Sequence, residues 1–131
     1  MVTMRVLYLD DNPSNVKLMR MVLSLRSDVE LSVAADGSAG LEAARAEPPD
    51  LMLIDLYLPD MRGDEVLRQL NGHEATAGVP TIVVSAEDDQ KVVRDTLLAG
   101  ANAYVTKPFK VTELLDVIDK VVLAPTSEDA P

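Results

Sequence analysis

Short apolar segments alternate with segments of helical periodicity along most of the chain. Residues 51–54 and 81–84 are apolar without alternation, which is typical of central parallel strands covered on both faces. Residues 29–33 alternate between apolar and polar positions, which indicates a strand with one polar face. Two further short segments, residues 5–10 and 103–106, are also bounded by turn residues and complete a prediction of five strands.

The segments between the strands have the spacing and the end residues of helices. Asn12 and Pro13 open the first helix, which is predicted to extend to about Arg26. Ser38 is the predicted N-cap of the second helix, and Gly100 is the predicted C′ residue of the fourth. Apolar spacing and helix-terminal residues predict the bounds of the remaining helices. The second helix is expected to end at about residue 46, and the third to span 64–70. The fourth is expected at about 88–99 and the fifth at 111–123.

Regular alternation of strand and helix predicts an α/β protein with a parallel sheet and helices on both faces. Five such units favour a flavodoxin-like, doubly wound (βα)5 sandwich with strand order 2-1-3-4-5. Residues 1–123 are predicted to form one domain. Residues 124–131 contain two prolines and little to bury, so we predict a flexible acidic tail or linker.

Composition narrows the class of protein. The 131 residues are 47% hydrophobic and include no cysteine, which excludes disulfides and thiolate metal sites. We expect no membrane insertion, because no segment approaches the roughly 18 apolar residues that a span needs, and the N-terminus lacks the pattern of a signal peptide. A cytoplasmic location is therefore expected. The formal net charge is −10 and the basic residues are scattered, so direct nucleic-acid binding is not expected.

Chemically active side chains follow four of the predicted strands. They are Asp10 with Asp11, Asp55, Ser85 and Lys107. Because ligands bind outside the carboxyl ends of strands in an open parallel sheet, we expect these groups to converge. Three carboxylates, a hydroxyl and an ammonium suit a divalent cation together with a phosphoryl group. Asp55 is hard to explain otherwise, since a carboxylate ending an apolar strand is costly unless something pairs with it.

Four segments carry a resemblance to a known family. They are LDDNPSN with Asp10 and Asp11, LMLIDLYLPDMRG with Asp55, VVSA with Ser85, and AYVTKPF with Lys107. With these segments in order and at strand ends, the chain resembles a response-regulator receiver domain of two-component systems over roughly residues 4–123. Such domains are signalling switches rather than enzymes with a turnover of their own.

The resemblance implies a phosphorelay role for the acidic residues. Asp55 would accept a phosphoryl group from a phosphohistidine of a histidine kinase or a histidine phosphotransfer protein. Asp11 would ligate Mg²⁺ directly and Asp10 through water, while Asp55 and the backbone carbonyl of Tyr57 would complete the protein ligands. Mn²⁺ is a possible substitute. Mg²⁺ prefers oxygen ligands and keeps several waters, which suits this set.

The resemblance also assigns roles around the acceptor. Lys107, followed by a cis peptide bond to Pro108, would pair with Asp55 or its neighbours and later with a phosphoryl oxygen. Ser85 would donate a hydrogen bond to the phosphoryl group. Tyr104 would turn inward behind it, and this would remodel the face formed by the fourth helix, the last strand and the last helix. That face would serve a downstream effector protein or an output domain missing from this chain.

Tyr57 and Glu87 flank the expected path of a hydrolytic water. Each lies two residues beyond a site residue, after Asp55 and Ser85 respectively. In receiver domains such positions tune the lifetime of the aspartyl phosphate, so we expect the same here.

One alternative function remains open for the same fold, and the residues argue against two others. A pseudo-receiver would be a constitutive protein-interaction module without phosphorylation. A flavodoxin-type FMN binder would need a Ser/Thr/Gly-rich phosphate loop, whereas the loop DDNPSN is acidic. A haloacid-dehalogenase-type phosphatase would carry a second Asp two residues after the nucleophile, where this chain has Tyr57. His73 lies in a polar loop, is expected to be exposed and receives no role.

Overall fold

The computed structural model describes residues 3–123, so the predicted tail at 124–131 lies outside the described residues. Strands and helices alternate throughout in chain order. The strands are β1 Met4–Leu9, β2 Val29–Ala34, β3 Leu51–Ile54, β4 Thr81–Ser85 and β5 Ala103–Thr106. The helices are α1 Pro13–Leu23, α2 Gly37–Ala46, α3 Gly63–Asn71, α4 Gln90–Leu98 and α5 Val111–Leu123.

All five strands form one parallel sheet in the order β2-β1-β3-β4-β5, which confirms the predicted fold and strand order. Of the described helices, α1 and α5 pack on one face of the sheet, and α2, α3 and α4 pack on the other. No helix within residues 3–123 is both long and apolar enough to cross a membrane.

The period-2 alternation of the strands divides the core into two layers. In β1, Leu7 and Leu9 face the side of α2 and α3, whereas Val6 and Tyr8 face the side of α1 and α5. Every residue of β3 is fully buried, which confirms its predicted central position. The edge strand β2 alternates between partly buried and exposed residues along most of its length. This arrangement brings the carboxyl ends of β1, β3, β4 and β5 to one edge of the sheet.

Helices α3 and α4 differ from the sequence predictions by one or two residues at each end, and particular side chains account for the differences in α1 and α2. Helix α1 ends at Leu23 rather than near Arg26. The hydroxyl of Ser24 donates to the carbonyl of Met21 at 2.6 Å, and the Arg26 guanidinium pairs instead with Asp28 at 3.1 Å. These side-chain interactions favour a turn after α1 over another helical turn.

The predicted N-cap of α2 was wrong by two residues. Asp36 is the cap, since its carboxylate accepts a hydrogen bond from the Ala39 amide at 2.7 Å. Ser38 lies in the first turn, where its own amide donates to Asp60 at 2.9 Å. The carboxylate of Asp60 also accepts from the Gly37 amide at 2.7 Å, so two free amides of this helix end are satisfied from another loop.

Candidate functional site

Backbone hydrogen bonds fix the site residues at the carboxyl edge of the sheet. The Asp55 amide donates to the Leu9 carbonyl at 3.0 Å, which holds Asp55 beside the end of β1. The Lys107 amide donates to the Ser85 carbonyl at 2.8 Å and extends the β4–β5 pairing by one residue. The peptide bond between Lys107 and Pro108 is cis, as the resemblance implies. The ends of four strands therefore meet at the edge of the sheet where the cleft lies.

Asp10 is a buried carboxylate whose oxygens are well supplied with donors. Its side chain is fully buried. Oδ2 accepts hydrogen bonds from the Tyr8 hydroxyl at 2.5 Å, the Asn15 amide group at 3.1 Å and Lys107 Nζ at 3.2 Å. Oδ1 accepts from the Asn12 backbone amide at 2.9 Å. These donors compensate the loss of water around the charge.

The Lys107 ammonium lies between two carboxylates. Its Nζ is 3.2 Å from Asp10 Oδ2 and 3.6 Å from Asp55 Oδ2. Asp55 is less enclosed than Asp10, and its Oδ1 accepts from the Tyr57 amide at 3.3 Å. The cleft thus contains the fixed carboxylate of Asp10, the Lys107 ammonium and the Asp55 carboxylate, which an incoming group can reach.

The pKa values of Asp10 and Asp55 are shifted in opposite directions. Burial raises the pKa of Asp55 above its usual value, and the charge of Lys107 only partly offsets this. Burial acts in the same direction on Asp10, but hydrogen bonds from Tyr8 and Asn12 and the charge of Lys107 outweigh it, so the pKa of Asp10 is lowered. Paired groups with opposite shifts are typical of sites with divided chemical roles.

The residues predicted to hold a metal offer oxygen donors at the cleft. Among the described residues, no group of three or more acidic or histidine side chains forms a preassembled metal cage. Mg²⁺ does not require one, because it is usually held by one or two carboxylates and keeps several waters. The available donors are all oxygens, from the exposed Asp11, the partly exposed Asp55 and the Tyr57 carbonyl. This set fits Mg²⁺.

Ser85, Glu87 and Tyr104 form a hydrogen-bonded group behind the cleft. The buried Ser85 hydroxyl accepts from the Glu87 amide at 3.2 Å. The Tyr104 hydroxyl donates to the Glu87 carbonyl at 2.7 Å, and its ring packs against the core on the side of α2 and α3. Tyr104 is therefore already directed inward and half-buried. The sequence-based hypothesis had phosphorylation turn Tyr104 inward. In this structure Tyr104 already lies inward without phosphorylation.

Tyr57 connects this group to the loop that follows Asp55. Its hydroxyl donates to the Glu87 carboxylate at 2.6 Å, and the Arg62 guanidinium lies over its ring, 5.3 Å from the centroid. Gly63 closes the loop through a hydrogen bond from its amide to the Leu56 carbonyl at 2.7 Å. An added Cβ at Gly63 would lie 2.7 Å from the Asp55 carbonyl oxygen, so only glycine permits this approach.

The predicted site residues fall into two groups in the structure. Direct contacts join Asp10, Lys107 and Asp55, and others join Ser85, Glu87, Tyr57 and Tyr104. Asp11 is exposed next to Asp10, and His73 is exposed as expected. Sequence reasoning missed Tyr8 and Asn15. Tyr8 could have been found, because strand alternation places side chains i and i+2 on one face.

Comparison with known sequences identifies a family for this chain. Residues 6–119 match the profile of the response regulator receiver domain family. The transcriptional regulatory protein KdpE of Mycobacterium tuberculosis is 43% identical over 110 residues, which cover 84% of this chain and 47% of KdpE. The sensor histidine kinase TmoS of Ectopseudomonas mendocina is 33% identical over 126 residues, covering 96% of this chain and 13% of TmoS. The chain spans about half the length of the KdpE proteins it matches.

Solved structures show the same fold. The receiver domain of the sensor histidine kinase PA1611 from Pseudomonas aeruginosa, with magnesium in its active-site cleft, has a TM-score of 0.85 at 28% identity. That match covers 92% of this chain and 98% of the other. A CheY-like receiver domain protein from Methanospirillum hungatei has a TM-score of 0.82 at 30% identity, covering 92% and 94%. This chain therefore belongs to the response regulator receiver domain family.

Proposed function

We propose that this chain is a phospho-accepting signalling switch in which Asp55 takes a phosphoryl group from a phosphohistidine. The donor is a histidine kinase or a histidine phosphotransfer protein. The observation that carries the proposal is the Lys107 ammonium, 3.2 Å from Asp10 and 3.6 Å from Asp55. That position supplies a positive charge where an anionic phosphoryl group must approach a carboxylate.

The transfer is a nucleophilic displacement at phosphorus. An Asp55 oxygen forms a bond to phosphorus as the phosphorus–nitrogen bond of the phosphohistidine breaks, and the histidine leaves with that electron pair. The product is an acyl phosphate. Lys107 neutralises charge on the phosphoryl oxygens, and the Ser85 hydroxyl donates a hydrogen bond to one of them.

The acidic residues supply the cation-binding part of the cleft. Asp11, Asp55 and the Tyr57 carbonyl would ligate Mg²⁺ directly, and Asp10 would act through water; Mn²⁺ is a possible substitute. When bound, the cation offsets the repulsion between the carboxylates and the phosphoryl group. Asp10 meanwhile keeps Lys107 in place, because its buried carboxylate is the nearer of the two to that ammonium.

The surface beside the cleft suits a protein partner. An apolar groove next to Lys107 is lined by residues of α1 and of the loop after β5, among them Leu18, Met19 and Phe109. On α1, Leu18 and Met21 are 48% and 61% exposed. An apolar surface at the mouth of a reactive cleft fits a docked helix or loop that carries the phosphohistidine.

The output passes through the face formed by α4, β5 and α5. An effector protein or an output domain outside this chain would read that face. KdpE is about twice as long as the matched region and TmoS is far longer, so these relatives carry further sequence beside the receiver domain. We expect the switch to act in the cytoplasm, without direct nucleic-acid binding by these residues and without catalytic turnover on a separate substrate.

The inward position of Tyr104 gives a switching prediction. Phosphorylation of Asp55 is expected to draw Ser85 toward the phosphoryl group and to favour the conformer in which Tyr104 donates to Glu87. In wild type, labelling should shift backbone amide signals across α4, β5 and α5. In Tyr104→Ala the shifts should remain near Asp55, and Tyr104→Phe, which keeps the ring but lacks the hydroxyl donor to Glu87, should show the same loss. Equal shifts in Tyr104→Ala and wild type would show that Tyr104 is not the coupling residue.

The Tyr57–Glu87 hydrogen bond gives a prediction for the lifetime of the phosphorylated state. This 2.6 Å contact links the loops that follow Asp55 and Ser85. We expect it to restrict the approach of water to the phosphorylated Asp55. Replacing both residues with Ala should shorten the lifetime about tenfold, which corresponds to ~1.4 kcal/mol in the barrier. The decay of the adduct mass over time measures it, with Glu42→Ala on α2 as a remote control. An unchanged decay rate would remove both residues from this role.

A direct test of the proposed function uses a small phosphodonor. The chain is incubated with acetyl phosphate, either with Mg²⁺ or with a chelator, and its intact mass is measured. A Mg²⁺-dependent phosphoryl adduct is the expected result. A folded chain that takes no label under any condition would support the pseudo-receiver alternative, in which the same fold serves as a constitutive interaction module.

A further inference from the structure

Tyr8 is a buried phenol that the proposed mechanism does not use. Its side chain lies in the core between the sheet and α1, with only 1% of the residue exposed. Phenylalanine would fill nearly the same volume without a polar atom. A buried hydroxyl is costly unless it is hydrogen-bonded, so the Tyr8 hydroxyl requires a partner.

That partner is the carboxylate at the base of the cleft. Tyr8 and Asp10 are two residues apart along an extended segment, so their side chains share one face of the sheet. The Tyr8 hydroxyl donates to Asp10 Oδ2 at 2.5 Å. The same oxygen accepts from Asn15 at 3.1 Å and from Lys107 at 3.2 Å. Tyr8 reaches it from the core, whereas Lys107 joins it to Asp55.

We infer that Tyr8 is a positioning residue for phosphoryl acceptance. Its hydroxyl donates to Oδ2 from the core side and holds the Asp10 carboxylate in the orientation that keeps Lys107 beside Asp55. The remaining oxygen, Oδ1, is then fixed by the Asn12 amide at 2.9 Å. The Asp10 carboxylate and the Lys107 ammonium are consequently in place before a cation or a phosphodonor arrives. This inference rests on the proposed function.

The test compares Tyr8→Phe with wild type in two measurements. The first is the affinity for Mg²⁺ alone, measured by titration of backbone amide signals. The second is the rate of labelling by acetyl phosphate at saturating Mg²⁺. Losing an outer partner of a metal-site carboxylate typically costs about tenfold or more, so we expect both to fall by about tenfold.

The matched control removes another buried hydroxyl. Thr76 is also 1% exposed, and its hydroxyl donates to the Leu70 carbonyl at 2.8 Å, in the loop between α3 and β4. Thr76→Val should lower the melting temperature without changing Mg²⁺ affinity or labelling. In an Asp10→Asn background, Tyr8→Phe should have no further effect on labelling, because Tyr8 acts through Asp10.

The outcomes separate the inference from the proposed function. Wild-type affinity and rate in a folded Tyr8→Phe chain would overturn the positioning role and leave Tyr8 as a packing residue. A wild-type chain that neither binds Mg²⁺ nor takes label would instead refute the proposed function. Should Tyr8→Phe not fold, the hydroxyl proton of Tyr8 in wild type decides. It should be protected from exchange with solvent both before and after Mg²⁺ is added, and an unprotected hydroxyl proton would overturn the inference.

Discussion

Asp55→Asn is expected to abolish phosphoryl acceptance while leaving the chain folded. Asparagine has the same shape as aspartate but lacks the anionic oxygen that attacks phosphorus. Burial raises the pKa of Asp55, so ionisation of this carboxyl group is less favourable in the folded chain than in the unfolded chain. Removing that charge should therefore maintain or raise the melting temperature. Intact mass after acetyl phosphate treatment and a thermal melt measure the two effects.

A remote carboxylate provides the control for this substitution. Asp116 is exposed on α5, and Asp116→Asn should label like wild type. An adduct in Asp55→Asn at the wild-type level would place the acceptor elsewhere. A strongly destabilised Asp55→Asn chain would show that the charge of Asp55 contributes to folding, against the direction of its pKa shift.

Lys107→Met is expected to slow labelling about 100-fold, the usual cost of losing one preorganised charge-stabilising group. The ammonium contacts both Asp10 and Asp55. Asp10 keeps its donors from Tyr8, Asn15 and Asn12, so the chain should stay folded. Lys110→Met, which removes an exposed lysine from the same loop, is the matched control.

The pH dependence of labelling gives Lys107→Met a second readout. Asp55 attacks as the ionised carboxylate, so the rate falls as the pH drops through its folded pKa. The charge of Lys107 lowers that pKa against the effect of burial. Without Lys107 the pKa rises further, and the fall in rate should move to higher pH. A profile that coincides with wild type would show that Lys107 does not act on Asp55.

The fold could be predicted largely from local pattern. Strands β3 and β5 and helix α5 begin and end as expected, because fully apolar strands and a clear helical stripe leave little ambiguity. The helix ends that differ depend on single side chains. Asp36 rather than Ser38 caps α2, and Asp60 from a distant loop binds the next two amides. Such contacts between loops have no local signal in the sequence.

The site was likewise predictable in part: the positions of its main residues followed from the topology, but their hydrogen bonds did not. Topology predicted that Asp10, Asp11, Asp55, Ser85 and Lys107 would converge. In the structure Lys107 contacts both Asp10 and Asp55, whereas the Ser85 hydroxyl contacts the Glu87 amide. The hydrogen bonds that tune them were not predictable in the same way. The contact between Tyr57 and Glu87 joins two loops, and the inward position of Tyr104 depends on the carbonyl of Glu87. Both depend on loop geometry that follows from packing rather than from residue spacing.

The most direct test of the central claim is to locate the phosphoryl group. Wild-type protein labelled with acetyl phosphate and Mg²⁺ is digested under conditions that preserve acyl phosphate, and its peptides are sequenced by mass spectrometry. The account predicts a single modified residue, Asp55, with no adduct when the cation is chelated. A label on Ser85 or on any other residue, or a label that forms without the cation, would contradict it.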